Sequence, residues 1–197
     1  MRKVIYFAVL LLAFEAHAPG SQQATAPPAA SPPTSPIQQS IQGTTYENKT
    51  ARFTLTVPKD WQVSDLLANQ VPGLVGTLAA PGLSAAIMVQ RYFVPGPKVG
   101  AEILDSRFRA GFRDYRKLAE GPLKVDGKDS YFFIYRALFP FGPPEANTQR
   151  PAKLLVVLIP DGESVLGFSC QAPETEFEKF KPVFDKIVGS YKSSKAS

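Results

Sequence analysis

The chain has almost none of the residues on which much hydrolytic and metal-dependent chemistry rests. It contains one cysteine, Cys170, and one histidine, His17. A single cysteine cannot form an intramolecular disulfide, so the folded chain must be stabilised by its core. Because His17 lies in the predicted leader described next, the rest of the chain lacks histidine-dependent catalysis, histidine metal ligands and histidine pH switching. We expect no catalytic residue, no cofactor and no metal site.

The chain also lacks an apolar run long enough to cross a bilayer as a helix. Its longest run, residues 4–14, has eleven residues and follows Arg2 and Lys3, whereas a spanning helix takes about 20. A positive start, a short apolar run and small residues are typical of a secretory signal peptide. We predict a cleaved signal over residues 1–20, with the cut after Ala18 or after Gly20. The protein is therefore predicted to be secreted or periplasmic, with no stable membrane span.

The remaining chain divides by composition. Residues 21–43 read SQQATAPPAASPPTSPIQQSIQG and are nearly uncharged. Such a segment cannot bury enough apolar surface to offset the entropy of ordering, so we predict a disordered linker. Residues 44–192 suffice for a single domain, which we expect to be monomeric, and residues 193–197 are predicted to be a disordered tail.

Alternating apolar residues predict about six strands. The predicted strands cover residues 51–57, a hairpin over 74–94, and residues 116–125, 130–139, 153–159 and 164–171. Asp126-Gly127 and Asp161-Gly162 are short hairpin turns, so the strands they join should be antiparallel. Cys170 alternates in register with Leu166 and Phe168, which predicts an inert buried thiol.

Two amphipathic segments predict helices. The first covers residues 101–113, with Leu104, Phe108 and Phe112 on one face. The second, in residues 177–192, carries an aromatic stripe, with Pro182 causing either a kink or a short first turn. The stripe consists of Phe177, Phe180, Phe184, Ile187, Val188 and Tyr191.

The two central strands are apolar on both faces. Residues 130–139 carry aromatic or aliphatic side chains at both odd and even positions, and residues 154–159 are apolar throughout. Such strands must be covered on both sides. We predict an α+β fold, an antiparallel sheet of about six strands covered by helices on both faces, with Trp61, Phe133 and Phe184 in the core.

Basic residues provide the candidate binding surface. Arg109, Arg113, Arg116 and Lys117 have helical spacing, and the long loop of residues 140–152 adds Glu145 and Arg150. Beyond residue 20 the chain has 20 Lys and Arg against 16 Asp and Glu, a mild net charge of +4. A solvated helix face is the simpler interpretation. The alternative is a partner-binding patch for an unknown protein or an anionic envelope component, and nucleic acid is not expected.

Acidic residues in and near the first predicted helix are candidates for a catalytic pair. Glu102, Asp105 and Asp114 are interspersed with arginines and lysines, so ion pairing explains them more simply than general acid and base catalysis. Asn48-Lys49-Thr50 is a glycosylation sequon, which matters only in a eukaryotic source.

Three segments carry a resemblance to a known family. They are F-T-L-T-V-P-K-D-W at residues 53–61, V-D-G-K at residues 125–128 before an aromatic strand, and F-E-K-F-K-P-V-F-D-K-I-V-G-S-Y at residues 177–191. In this order and spacing they resemble the PsbP-like (Mog/PsbP, DcrB-like) α/β/α-sandwich family over roughly residues 45–192. The resemblance implies a mostly non-catalytic fold used for docking, with no family active site to carry over.

Two functional hypotheses remain open. The first is a secreted or periplasmic binding or accessory protein that is not an enzyme. The second is a hydrolase-like enzyme that uses carboxylates in a pocket between sheet and helix. A pocket with converging carboxylates would favour the second hypothesis.

Overall fold

The computed structural model describes residues 39–42, 45–64, 68, 71–140 and 149–194. The predicted signal peptide, most of the predicted linker and Glu145 lie outside these residues. The strands are β1 Gln39–Gln42, β2 Thr45–Asn48, β3 Phe53–Thr56, β4 Gln62–Ser64, β5 Leu74–Ala79, β6 Ala86–Tyr92, β7 Arg116–Val125, β8 Lys128–Pro140, β9 Gln149–Asp161, β10 Ser164–Pro173 and β11 Lys192–Ser193. The α-helices are α1 Pro97–Gly111 and α2 Phe177–Gly189, and a short 3₁₀ helix spans Pro81–Leu83.

The strands form two sheets. The larger has seven strands in the order β4-β5-β6-β10-β9-β8-β7, and every neighbouring pair is antiparallel. The predicted large antiparallel sheet is thus confirmed, but the expected strand number was too low. A second sheet, β1-β2-β3-β11, takes up the predicted strand at residues 51–57. The backbone of β3 pairs with β2 on one side and with β11 on the other, so β3 is not a strand of the larger sheet.

The tight turns set the strand directions of the larger sheet. Asp126 and Gly127 have φ of 51° and 74°, the left-handed conformation of both central residues that a two-residue hairpin needs. Val125 therefore pairs directly with Lys128. The Asp-Gly sequence supplies residues that tolerate this conformation, which is why this turn could be predicted.

Successive residues of β9 belong to two separate core clusters. Leu155, Val157 and Ile159 pack with the residues of α2 and of the smaller sheet. The intervening residues, Leu154, Val156 and Leu158, pack with residues of α1 instead. Successive side chains of a strand point to opposite faces of the sheet, so the two clusters use alternate positions of the same strand.

The aromatic stripe of α2 is buried as predicted. Phe184 has no exposed surface and meets Trp61 edge-on with ring centroids 6.3 Å apart, and Tyr191 just beyond the helix is 1% exposed. Phe133 is also fully buried. Pro182 lies inside the continuous helix α2 rather than near its start, so the helix tolerates the loss of one backbone donor while its apolar face remains packed.

Both ends of the predicted domain extend further than expected. Residues 39–42, placed in the linker, form β1 and pair with β2. Ser193, placed in the tail, pairs with Phe53 in β3, and Ser194 donates a backbone hydrogen bond to Arg52. Composition predicts disorder at both places, whereas backbone pairing with β2 and β3 places these residues in the smaller sheet.

Candidate functional site

The predicted helical stripe of basic residues does not exist. The helix α1 ends at Gly111, and Phe112 is extended with φ of −101° and ψ of 136°. Arg113 therefore lies in a connection, while Arg116 and Lys117 begin β7. The ring centroids of Phe112 and Phe139 lie 4.5 Å apart. The helix α1 therefore ends where Phe112 packs on β8, and it ends before the predicted basic stripe is complete.

Two of the predicted site residues are engaged in an ion cluster. Asp105 contacts Arg109 at 3.1 Å and Lys117 at 3.6 Å, and it accepts a hydrogen bond from the Tyr115 hydroxyl. Burial disfavours the charged form of Asp105, but the Tyr115 hydrogen bond and the cations Lys117 and Arg109 together lower its pKa. This cluster joins α1 to β7, so Arg109 and Lys117 are accounted for by local structure.

Three other predicted residues lie at one end of the larger sheet, near the last residues of β8. Arg113, Arg116 and Arg150 are all exposed, and no hydrogen bond or ion pair joins their side chains to any other described residue. Each lies beside the last residues of β8. The Arg113 carbonyl accepts a hydrogen bond from the Leu138 amide, Arg116 pairs with Arg136, and Arg150 pairs with Phe139. This group is called the arginine end below.

Sequence reasoning missed two basic residues of the same region. Arg136 and Lys153 lie on the central strands β8 and β9 and face each other directly. The Arg136 Nε donates to both Glu174 carboxylate oxygens, at 3.0 and 2.9 Å, and the Lys153 Nζ lies 3.0 Å from Glu178. A charged residue inside an otherwise apolar strand was the available signal, because burying a charge is costly unless it has a partner or a function.

The opposite end of the sheet carries an exposed aromatic residue and two shallow clefts. Phe93, between β6 and α1, is 84% exposed. One cleft of about 480 Å³ includes Lys98, Asp129 and Tyr131, and the other, of about 300 Å³, includes Glu163. Asp129 is ion-paired with Lys124 at 2.7 Å. Each of these clefts thus holds one carboxylate, and a pair of carboxylates converges in neither of them.

The described part of the chain contains neither a metal-binding cluster nor a membrane-spanning helix. No cluster of three or more cysteine, histidine, aspartate or glutamate side chains occurs among the described residues. No helix among the described residues, including α1 and α2, is long and apolar enough to span a bilayer.

Cys170 is fully buried in β10 and belongs to the α2 core cluster. Burial raises the pKa of its thiol well above the ordinary value, with a smaller contribution from the Asp185 charge, so the reactive thiolate is suppressed. We expect no reaction with a thiol reagent at pH 8 in the native protein and one modified thiol per chain after denaturation. Rapid stoichiometric labelling of the native protein would contradict the buried, inert thiol.

The asparagine of the sequon has a structural role. Asn48 is 1% exposed, its Nδ2 donates to the Tyr46 hydroxyl at 2.8 Å, and its Oδ1 accepts from the Ala51 amide at 2.7 Å. A glycan would be attached through this buried Nδ2. The folded domain therefore presents no acceptor at Asn48.

Comparison with known proteins identifies the fold. No family model matches the sequence, and no curated protein matches it. The chain is similar to cyanobacterial PsbP (CyanoP) from Synechocystis sp. PCC 6803, with TM-score 0.57, 15% identity, and coverage of 84% of this chain and 98% of that one.

Two further solved structures share the fold. The Ran-binding protein Mog1p of Saccharomyces cerevisiae has TM-score 0.52 and 14% identity, with 78% of this chain and 96% of that chain covered. LpqN of Mycobacterium tuberculosis, described as involved in cell envelope biogenesis, has TM-score 0.51 and 13% identity, with 82% and 93% covered. The chain has the PsbP-like fold, which confirms the predicted resemblance at the level of fold.

Proposed function

We propose that this PsbP-like domain is a non-catalytic, secreted or periplasmic accessory protein that docks a protein or envelope partner. The observation that carries the proposal is the arginine end, where three exposed guanidinium groups have no partner among the described residues. Guanidinium groups are suited to binding carboxylates and phosphates through paired hydrogen bonds. The names of two proteins of similar fold, a Ran-binding protein and one involved in cell envelope biogenesis, support a binding role by analogy.

The proposed architecture places one helix on each face of the larger sheet. Membership of α1 and α2 in different core clusters supports this layering. The proposed chain order is a signal peptide over residues 1–20, a linker after it, and a single monomeric domain. Of the sites predicted from sequence, the proposal keeps Arg113, Arg116 and Arg150 as contact residues.

The alternative of a hydrolase-like enzyme receives less support. The two clefts contain one carboxylate each, and general acid and base catalysis by carboxylates takes two that face the same bond. The aromatic side chains of α1 and α2 also fill the spaces where these helices meet the larger sheet. The proposal therefore assigns no catalytic residue, cofactor or metal ligand.

Cross-linking capture in the envelope of the source organism tests the docking function. We expect the tagged full chain to recover a partner that the variant Arg113→Ala, Arg116→Ala, Arg150→Ala does not recover. A matched control, Lys49→Ala, Lys59→Ala, Lys98→Ala, removes three exposed positive charges elsewhere and should behave like the parent. Equal recovery by both triple variants, or no partner with the parent, would count against the proposal.

The proposed location predicts a processed N-terminus. Intact-mass measurement of the exported protein should give a first residue between Pro19 and Ala24, because the apolar run ends at Phe14 and small residues follow it. A control sample made without export should keep its leader. Exported protein that still begins at Met1 would contradict the cleaved signal.

A further inference from the structure

We infer that Arg116, Arg136 and Lys153 form a binding surface for the carboxylates of an acidic segment in a partner protein. The inference rests on the proposed docking function and names the surface and the chemistry of its partner. These three residues are called the basic row below. The row crosses β7, β8 and β9 on one face of the larger sheet.

The geometry of the row comes from the strand register. Arg116 is directly opposite Arg136, and Arg136 is directly opposite Lys153. Directly opposed residues have Cβ atoms about 4.5 to 5.5 Å apart, and like charges at such positions destabilise a sheet. A row of three positive charges is therefore favoured only where anions lie close to it.

The structure supplies anions for two of the three cations. Glu174 pairs with Arg136, and Glu178 pairs with Lys153. Arg116 has no ion pair or hydrogen bond with any residue that the structure describes. Among the described residues, two carboxylates thus serve three cations, and Arg116, at the exposed end of the row, is the cation without a carboxylate.

Glu174 orients the Arg136 guanidinium without using all of its donors. Both carboxylate oxygens accept from Nε alone, and the Glu174 backbone amide is held by the Pro151 carbonyl at 3.0 Å. The four Nη–H groups of Arg136 make no hydrogen bond to another described residue. A guanidinium that is held in this way can bind a second carboxylate through its two Nη nitrogens.

Exposure favours a protein segment over a membrane surface. The Arg136 and Lys153 side chains are only 30% and 22% exposed, whereas Arg116 is an exposed residue at the sheet edge. A flat lipid surface reaches protruding groups first, while a glutamate or aspartate side chain can reach a recessed guanidinium. Because solvent is partly excluded from these side chains, each such contact is stronger than the same contact in open water.

The edge strand β7, next to the row, is protected against pairing with a strand of a partner protein. The strand β7 is an edge of the larger sheet, and its register with β8 shifts between Lys117 and Ala119. Such a bulge, together with Pro122, which lacks a backbone donor, protects an edge strand against pairing. Contact is therefore expected through the side chains of the row rather than through the β7 backbone.

The test uses a defined acidic peptide and the full chain. A fluorescently labelled ten-residue peptide of alternating Glu and Ser is titrated with protein at low and physiological salt, and a Gln and Ser peptide serves as the uncharged control. Vesicles of phosphatidylglycerol and phosphatidylcholine form the membrane arm. We expect Arg116→Gln to weaken peptide binding about threefold and Arg136→Gln about tenfold. Salt should weaken binding by the parent.

Two control variants and one fallback complete the test. Arg107→Gln removes an equal charge from an exposed position on α1 and should leave the affinity unchanged. Arg136→Lys keeps the charge but loses the planar fork, so it should bind more weakly than the parent. If Arg136→Gln misfolds, as its thermal midpoint would reveal, Arg116→Gln still tests the row because Arg116 has no structural partner among the described residues.

The failures of the two proposals are distinguishable. Equal weakening by Arg116→Gln and Arg107→Gln, binding to the vesicles but not the peptide, or binding to neither would overturn the acidic-segment inference. None of these results would remove the docking function if the capture experiment recovers a partner through the arginine end. A capture experiment without any partner would overturn the docking function itself.

Discussion

Replacement of Phe184 by alanine is expected to lower the free energy of unfolding by about 3 to 5 kcal/mol. Phe184 has no exposed surface, and its ring centroid lies 6.3 Å from that of Trp61 and 6.2 Å from those of Phe177 and Phe180. The change removes buried apolar area and leaves a cavity between α2 and the sheet. Urea unfolding followed by tryptophan fluorescence measures the loss, since the only tryptophan, Trp61, contacts the site.

Phe93→Ala is the matched control for this prediction. It removes the same atoms from a side chain that is 84% exposed, so the free energy of unfolding should change by less than about 0.5 kcal/mol. A total stability of about 5 to 15 kcal/mol means that Phe184→Ala approaches unfolding. If the two variants unfold at the same urea concentration, α2 does not cover the core as described.

Gly73→Ala is expected to cost about 2 to 4 kcal/mol of stability. Gly73 has φ of +77°, and a Cβ built there would lie 2.6 Å from the backbone oxygen of Arg91. The obstructing atom belongs to β6, and the Arg91 amide itself donates to the Gly73 carbonyl at 2.7 Å. Relief would require moving the strand, so conformational strain and steric overlap add.

Gly82→Ala separates these two contributions. Gly82 has φ of +64°, but its added Cβ would meet nothing within 4 Å. The variant therefore carries only the cost of a left-handed conformation, about 1 to 2 kcal/mol. Equal thermal midpoints for the two alanine variants would show that β6 yields to the Cβ at Gly73, contrary to the prediction.

The meander from β7 to β10 was predictable because local signals agree there. The turn at Asp126-Gly127 and the turn at Gly162-Glu163, one residue beyond the predicted Asp161-Gly162, are separated by strongly apolar strands, and tight turns impose antiparallel neighbours. The buried face of α2 was predictable for a similar reason, since its aromatic residues recur at helical spacing. In both places the local preference and the tertiary environment favour the same conformation.

The candidate site was predictable only in part. Arg113, Arg116 and Arg150 are exposed, and their role as contact residues stays a prediction. For Arg113 and Arg116 that prediction used a helical spacing that the chain does not adopt. Arg136 and Lys153 were not selected because each stands alone in an apolar strand. Their relation to Arg116 exists only through the pairing of β7, β8 and β9, which joins residues 37 positions apart at the ends of the row.

The sequence by itself determined which residues are buried, where the tight turns lie and which chemistry is scarce. These properties depend on side-chain polarity and on backbone preferences over a few neighbouring residues. Only the tertiary structure decided that α1 stops at Gly111, that β1 and β11 join β3 in a second sheet, and that a basic row crosses three strands. Backbone hydrogen bonds between strands carry no residue identity, so register and strand neighbours follow from the packing of the whole domain rather than from any local segment.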